Sequence, residues 1–178
     1  MKSYHVLFVG LGLLGVMIFY VIWNVGLLMP VVVEQVDSPS GVAVFQKYTG
    51  PYHDVGAIFE KIEKQLVEQN LNCDLSFGRY YDNPDEVEPE RLRADIGCIV
   101  PQAPAQKIEG LETENLESFK ALRGTFEGAP WLTAFKVYST LRKQSYQRNL
   151  HVEFSPIFET YQQIPRGFKT QVYLRITH

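Results

Sequence analysis

The sequence predicts an α+β fold in which two β-α-β-β units enclose a central cleft, with one transmembrane helix before them. Three observations predict it. Residues 6–33 contain no Asp, Glu, Lys, Arg or His. Two later passages each read as strand, helix, strand, strand. A polar, proline-containing linker at residues 101–117 separates these passages. We therefore expect an anchor over residues 1–35 and one domain over residues 36–178, with units at 36–100 and 118–178.

The uncharged run at residues 6–33 is long enough for a membrane span. A helix rises about 1.5 Å per residue, so about 20 apolar residues cross a hydrocarbon core of about 30 Å. A cleaved signal peptide would have a shorter apolar region and a small-x-small cleavage site, and neither is found here. We expect a retained single-pass anchor that contacts the lipid bilayer. Lys2 precedes the run and Glu34 follows it, which favours a domain on the non-cytoplasmic side.

The first unit begins with a strand and turn and continues with an amphipathic helix. In the helix, Val55, Ile58, Phe59, Ile62 and Leu66 recur at steps of three and four, and Asn70 is a stop signal. The predicted elements are a strand and turn at Val36–Tyr52, a helix at His53–Asn70, a strand at Phe77–Asp82, a polar loop at Asn83–Arg93 and a strand at Ala94–Val100.

The second unit repeats this order. Its predicted elements are a strand and turn at Ser118–Pro130, a helix at Trp131–Gln147 and strands at Val152–Tyr161 and Thr170–Thr177. A shift of 79 residues places Pro51 on Pro130 and Phe59 on Tyr138. The match is one of physical character and predicts an internal repeat. Two such units would leave a cleft at their junction, a common place for a ligand.

The composition disfavours several functions. The net charge is −3 and the longest basic run is Arg142-Lys143, whereas nucleic-acid binding normally leaves a basic stripe, so we expect none. No phosphate-binding loop is present, and the cysteines and histidines lack metal-ligand spacing, so no metal or cofactor is expected. Cys73 and Cys98 could pair in an oxidising compartment, although two free, partly buried thiols are the preferred interpretation.

Three segments, taken in order, resemble the GyrI-like small-molecule-binding domain. They are KYTGPYHDVGAIFEKI (Lys47–Ile62), GRYYDNPDEVEPERLRADIGCIV (Gly78–Val100) and PIFETY (Pro156–Tyr161), with the closing strand QVYLRI (Gln171–Ile176). The resemblance covers residues 36–178. The arrangement of span and domain is also similar to a membrane-anchored ER-phagy receptor of that superfamily. The chain carries no counterpart of that receptor's adaptor-binding tail, which weighs against the receptor role, leaves the domain itself unaffected, and keeps a receptor scaffold as an alternative.

The resemblance implies a pocket walled by aromatic residues around a glutamate. By position, Glu159 matches the pocket glutamate and Tyr161 the tyrosine that follows it. Strand alternation places both on one face, with Thr160 opposite. Tyr81, Tyr48 and Trp131 are further candidate walls. A carboxylate beside tyrosine rings suits an organic cation.

Alternatives to these assignments stay open. Glu159 could instead be a surface acid paired with Arg175 or Arg79, and Trp131 could be an apolar anchor against the sheet.

The expected function is the binding of a small hydrophobic, amphipathic or cationic molecule by a membrane-anchored domain. Two other functions stay open. One is hydrolysis of an electrophilic toxic compound, with Glu159 activating water, so whether the chain is an enzyme is undecided. The other is a scaffold that uses the fold to bind a protein partner.

Overall fold

In the computed structural model, the backbone is described for residues 2–165 and 167–177, and the side chains for the same residues except 2–7 and 9. Three helices and nine strands occupy these described ranges. The helices are α1 (Lys2–Asn24), α2 (Val55–Glu68) and α3 (Trp131–Gln147). The strands are β1 (Val32–Asp37), β2 (Gly41–Thr49), β3 (Leu75–Tyr80), β4 (Arg93–Val100), β5 (Glu112–Leu116), β6 (Lys120–Gly128), β7 (His151–Val152), β8 (Ile157–Ile164) and β9 (Gly167–Thr177).

Eight strands form one antiparallel sheet in the order β1-β6-β9-β8-β3-β4-β2-β5, and the short β7 pairs with β9. The chain passes twice through strand, helix, strand, strand: β2-α2-β3-β4 and β6-α3-β8-β9. The two passages meet where β3 pairs with β8, with Gly78 opposite Glu159. The predicted α+β class is confirmed, whereas descent of the two passages from one duplicated unit stays a prediction.

The edge strands β1 and β5 each pair with a strand of the passage that they do not directly adjoin in the chain. β1 leads into β2 but pairs with β6, and β5 leads into β6 but pairs with β2. The connections at 38–40 and 117–119 also touch. The Ser38 N–H donates to the Phe119 carbonyl at 2.8 Å, and the Ser118 hydroxyl donates to the Ser38 carbonyl at 2.8 Å. Because both connections are short, the opposite edges of the sheet lie close together and the sheet is curled.

Each face of the sheet has its own apolar core. On one face α2 buries Ile62 and Leu66 and α3 buries Val137 and Leu141, each fully inaccessible to solvent. On the opposite face the rings of Phe45, Phe77, Phe158 and Tyr173 pack together, with Phe77 and Phe158 stacked at 5.3 Å. Each such side chain contributes about 1.5–3 kcal/mol by leaving water. The helices therefore cover only one face, and the curled sheet closes over the other.

The helix α2 follows the predicted apolar pattern and ends as predicted. Asn70 adopts a positive φ of 55°, and the Leu71 N–H donates to the Leu66 carbonyl at 3.0 Å. This left-handed residue with a bond back across the last turn is a common helix stop, and Asn tolerates that conformation better than most residues.

Two strands lie where the sequence analysis expected none. β1 occupies the end of the predicted anchor, and β5 lies inside the predicted linker at 101–117. Both are edge strands. The start of β1 could not be recognised because the residues before it are equally apolar. The polar sequence ETENL of β5 is as typical of a loop as of an exposed edge strand. Strand pairing therefore begins before residue 36 and continues inside the predicted linker, whereas the division into units at 36–100 and 118–178 stays a prediction.

The predicted span at residues 6–33 does not correspond to one helix. α1 ends at Asn24, and Gly26, at a φ of 77°, turns the chain towards β1. The side chains of Val6, Leu7 and Val9 belong to this prediction but lie outside the described residues. Within the part of the chain that the structure describes, no helix has the combination of length and apolarity needed to cross a membrane.

Cys73 and Cys98 form a disulfide bond, so the preference for two free thiols is wrong. Cys98 lies on β4, Cys73 lies two residues before the start of β3, and their Cα atoms are 5.3 Å apart, within the usual range for a disulfide. The pairing of β3 with β4 brings the two residues together, which sequence spacing alone does not show. The Glu63 carboxylate lies near both sulfurs, but cysteines already bonded to each other cannot act as thiolate ligands.

Candidate functional site

A buried carboxylate lies at the junction of the two passages. Glu159 points from β8 to the helix-covered face of the sheet, and only 5% of its surface is exposed. Tyr161 follows on the same face of β8. Tyr80 comes from β3, Tyr138 from α3 and Phe59 from α2. We call these five residues the Glu159 cluster. The first passage contributes one helix residue and one strand residue to it, and the second contributes one helix residue and two strand residues.

Both carboxylate oxygens of Glu159 accept hydrogen bonds from tyrosines. The Tyr138 hydroxyl donates to Oε1, and the Tyr161 hydroxyl donates to Oε2 at 2.6 Å. The hydroxyls of Tyr161 and Tyr80 are 2.8 Å apart. Since the proton of Tyr161 is directed at Glu159, Tyr80 is the donor in this second bond. The result is a chain of hydroxyls that ends on the carboxylate.

Burial dominates the electrostatics of the Glu159 cluster. Desolvation raises the pKa of Glu159 above its usual value, and the hydrogen bonds from Tyr138 and Tyr161 oppose that rise. Desolvation also raises the pKa values of Tyr80, Tyr138 and Tyr161, and the nearby Glu159 charge raises them further. The three hydroxyls therefore keep their protons at neutral pH and act as hydrogen-bond donors.

The basic residues considered as partners for Glu159 are engaged elsewhere. The Arg79 guanidinium lies on the opposite face, 3.0 Å from Asp95 and 2.7 Å from Glu114. Arg175 lies 3.8 Å from the Glu153 carboxylate. Among the described residues, no basic side chain forms an ion pair with Glu159. The carboxylate is thus held by neutral donors alone, and the alternative of a surface ion pair is wrong.

An aromatic wall extends from the cluster along β3. The Tyr80 ring lies over Gly78, where an added Cβ would come within 2.6 Å of it. The Tyr52 ring packs edge-on against Tyr80, with their centroids 4.8 Å apart, and its hydroxyl donates to the Arg93 carbonyl at 2.9 Å. Phe59 packs edge-on against Tyr161 at 5.4 Å. These rings border the region between α2 and α3 with apolar surface and a few inward-facing hydroxyls.

The structure brings together two of the five predicted site residues, Glu159 and Tyr161, on one strand face as alternation predicted. Tyr81 lies on the opposite face, where its hydroxyl donates to the Asp95 carboxylate at 2.6 Å and burial raises its pKa to about 12. Tyr48 packs at the β2 turn and donates to the Pro51 carbonyl at 3.1 Å. Trp131 is 61% exposed at the start of α3, so it does not anchor that helix to the sheet.

Three members of the Glu159 cluster were not predicted: Tyr80, Tyr138 and Phe59. The shift of 79 residues that aligns Phe59 with Tyr138 carried a signal, because the two residues occupy equivalent helix positions and both contact the β8 pair. For Tyr80 the signal was ambiguous. Two consecutive tyrosines must face opposite sides of a strand, and only the register with β8 decides which one meets Glu159.

A comparison with protein-family models agrees with the resemblance found in the sequence. The family model described as "GyrI-like small molecule binding domain" matches residues 32–177. A comparison of the sequence with curated proteins gives no match.

Solved structures share the fold. The EcmrR C-terminal domain superposes with a TM-score of 0.68 at 11% identity, covering 84% of this chain and 99% of that one. This chain spans 58% of the longer EcmrR chain solved in a complex with DNA. SAV2435 bound to tetraphenylphosphonium superposes with a TM-score of 0.56 at 15% identity, and the match covers 82% of this chain and 94% of SAV2435. A hydrolase from Listeria innocua superposes with a TM-score of 0.55 at 9% identity, and the match covers 82% of this chain and 91% of the hydrolase.

Proposed function

This chain belongs to the GyrI-like small-molecule-binding family, and from that premise we propose that it binds a bulky hydrophobic cation between α2 and α3. Glu159 supplies the opposing charge, and the rings of Tyr161, Tyr80, Tyr138 and Phe59 supply the walls. The observation that carries the proposal is a carboxylate that is 5% exposed and held only by tyrosine hydroxyls among the described residues.

A buried carboxylate without a cation favours a positively charged ligand. Removing an ionised carboxylate from water costs free energy, and this cost is the cause of the raised pKa of Glu159. A cation placed beside the carboxylate offsets the cost, and tyrosine ring faces add their own attraction for it. SAV2435, which shares the fold, was solved with the lipophilic cation tetraphenylphosphonium. That ligand has the charge and the aromatic surface that the Glu159 cluster suits.

We also propose that the chain is attached to a lipid bilayer and that its domain lies on the non-cytoplasmic side. Most of the described side chains of α1 are apolar and exposed, among them Leu13 and Val16 at 68% and Phe19 at 58%. We infer that α1 holds the domain at a lipid bilayer, where hydrophobic cations concentrate. The disulfide between Cys73 and Cys98 supports placement of the domain on the oxidising, non-cytoplasmic side. This is the side that the charges flanking the apolar run also favour.

The test is a titration of the purified full chain with tetraphenylphosphonium, followed by the shift in thermal unfolding. At 100 times its dissociation constant the ligand stabilises the fold by about 2.7 kcal/mol. Glu159→Gln keeps the shape of the side chain and removes the charge, so this variant is expected to lose most of the shift. Glu127→Gln is the matched control, since Glu127 is an exposed strand carboxylate on β6. Neutral triphenylphosphine oxide is the ligand control.

Equal shifts for the wild type and Glu159→Gln would overturn the assignment of Glu159. A folded wild type that binds no hydrophobic cation would overturn the function and favour the protein-interaction scaffold. We do not extend the proposal to hydrolysis, because the likeness to the Listeria innocua hydrolase shows the fold alone. The expectation that the chain binds no nucleic acid stays a prediction.

A further inference from the structure

Five exposed apolar side chains surround the point where α1 joins the domain. They are Leu27 at 45%, Leu28 at 61%, Trp131 at 61%, Phe135 at 72% and Phe168 at 37% exposure. We call them the α1-proximal patch. Single exposed apolar residues are ordinary on protein surfaces, whereas a group of them on neighbouring segments often marks a place of contact.

Three chain segments converge to form the patch. The Ala129 N–H donates to the Val25 carbonyl at 3.0 Å, which ties the end of β6 to the segment after α1. A Cβ at Gly26 would lie 2.7 Å from the Glu127 carbonyl oxygen. A Cβ at Gly167 would lie 3.0 Å from the Gly128 carbonyl oxygen. Both glycines also have a positive φ, 77° at Gly26 and 107° at Gly167, which other residues rarely adopt. The three segments therefore lie close together, which brings the apolar side chains that flank them near one another.

Lys136 fixes this arrangement from α3. Its ammonium group donates to the Leu27 carbonyl at 2.8 Å and to the Met29 carbonyl, and it lies 4.9 Å from the centre of the Phe126 ring. Residues 27–29 thus cross α3 beside its first two turns. Trp131 and Phe135, one helical turn apart, lie on the exposed side of the same turns. The patch is therefore built from the domain and the connecting segment together.

We propose that the α1-proximal patch rests in the interfacial layer of a bilayer, so that the domain lies against the lipid surface in a fixed orientation. We choose a bilayer as the partner of this patch because the patch continues directly from the exposed apolar surface of α1. The patch begins three residues after α1, whose described side chains are mostly exposed and apolar, and Trp23 on its last turn is 44% exposed. Tryptophan and phenylalanine favour the boundary between headgroups and acyl chains. The inference rests on the proposed association of α1 with a bilayer and is independent of the ligand.

This orientation sets the two ends of α3 at different depths. Tyr146, 79% exposed near the far end, is separated from Trp131 by roughly 22 Å along the helix at about 1.5 Å per residue. The patch end contacts lipid and the Tyr146 end lies in water. Trp131 and Tyr146 are therefore a matched pair of exposed aromatic positions on one helix.

The chain contains two tryptophans, so Trp23→Phe leaves Trp131 as the only one. The full-length variant is reconstituted into phosphatidylcholine vesicles, with or without bromine in the upper acyl chains, and its tryptophan fluorescence is measured. The control variant combines Trp23→Phe, Trp131→Phe and Tyr146→Trp. The expected result is loss of Trp131 fluorescence in the brominated vesicles and none for the control, whereas aqueous acrylamide quenches the control more strongly.

Vesicle flotation of the same samples separates the two parts of the inference. Protein that floats while Trp131 and the control respond alike to bromine overturns the resting orientation and leaves the association of α1 intact. Protein that does not float overturns both. Protection of Trp131 from acrylamide without quenching by bromine identifies a second copy of the chain as the occupant and also overturns the proposal. Tetraphenylphosphonium binding, measured on the same variants, shows whether the ligand proposal stands alone.

Discussion

Reduction of the disulfide between Cys73 and Cys98 is expected to lower the free energy of unfolding by about 3.5 kcal/mol. The two cysteines are 25 residues apart in sequence, and a cross-link closing a loop of that size restricts the unfolded chain by this amount in the chain-entropy description. For a domain near 150 residues, each kcal/mol changes Tm by about 2–4 °C. The reduced protein is therefore expected to melt roughly 7–14 °C lower.

The assay is equilibrium unfolding in urea of oxidised and reduced wild type. Cys98 is fully buried, so reduction is carried out in the unfolded state, and the protein is refolded by dilution with the reductant present. Cys73→Ser is the control. This variant has no disulfide to lose, so its unfolding curve should be the same with and without the reductant. Superimposable curves for oxidised and reduced wild type, with free thiols shown by alkylation in the reduced sample alone, would refute the loop-entropy reasoning.

Three further predictions concern Glu159, Gly97 and Gly78. Because the pKa of Glu159 is raised above its usual 4.5, the folded state keeps this proton at pH values where the unfolded state has lost it. Wild-type stability is therefore expected to fall, relative to Glu159→Gln, as pH rises from the unfolded to the folded pKa, which urea midpoints across pH will check. Gly97→Ala is expected to prevent folding, because the new Cβ would overlap the Val44 carbonyl oxygen. Gly78→Ala displaces only the Tyr80 ring, 2.6 Å away, so circular dichroism should stay native while tetraphenylphosphonium binding weakens.

The helices and inner strands could be predicted because their residue patterns match their burial. α2 repeats apolar residues at steps of three and four, and the end of the helix coincides with Asn70. The edge strands carry no such pattern. β5 has a mostly exposed sequence, and what makes it a strand is its pairing with β2, whose partner residues lie 67 to 75 positions earlier along the chain. Long-range pairing of this kind leaves little trace in local composition.

The site was only partly predictable for a related reason. Glu159 and Tyr161 share a strand, so their common face follows from alternation alone. The choice between Tyr80 and Tyr81 depends on how β3 aligns with β8, and a slip by one residue reverses the answer. Tyr81 does share a face with Arg79, as alternation requires, but that face carries the Asp95 and Glu114 carboxylates. The sequence indicates which residues are neighbours on a strand, and the pairing of strands decides which face meets the helices.

The position of Glu159 at the β3–β8 seam gives the site a dependence on both passages. The carboxylate and its two hydroxyl donors, Tyr138 and Tyr161, all come from the second passage, so this group can form there alone. Its walls cannot, because Phe59 and Tyr80 come from the first. A cation held against Glu159 must therefore contact both passages at once. Binding should then oppose their separation, and the stabilisation by ligand should appear at the seam as slower hydrogen exchange in β3 and β8.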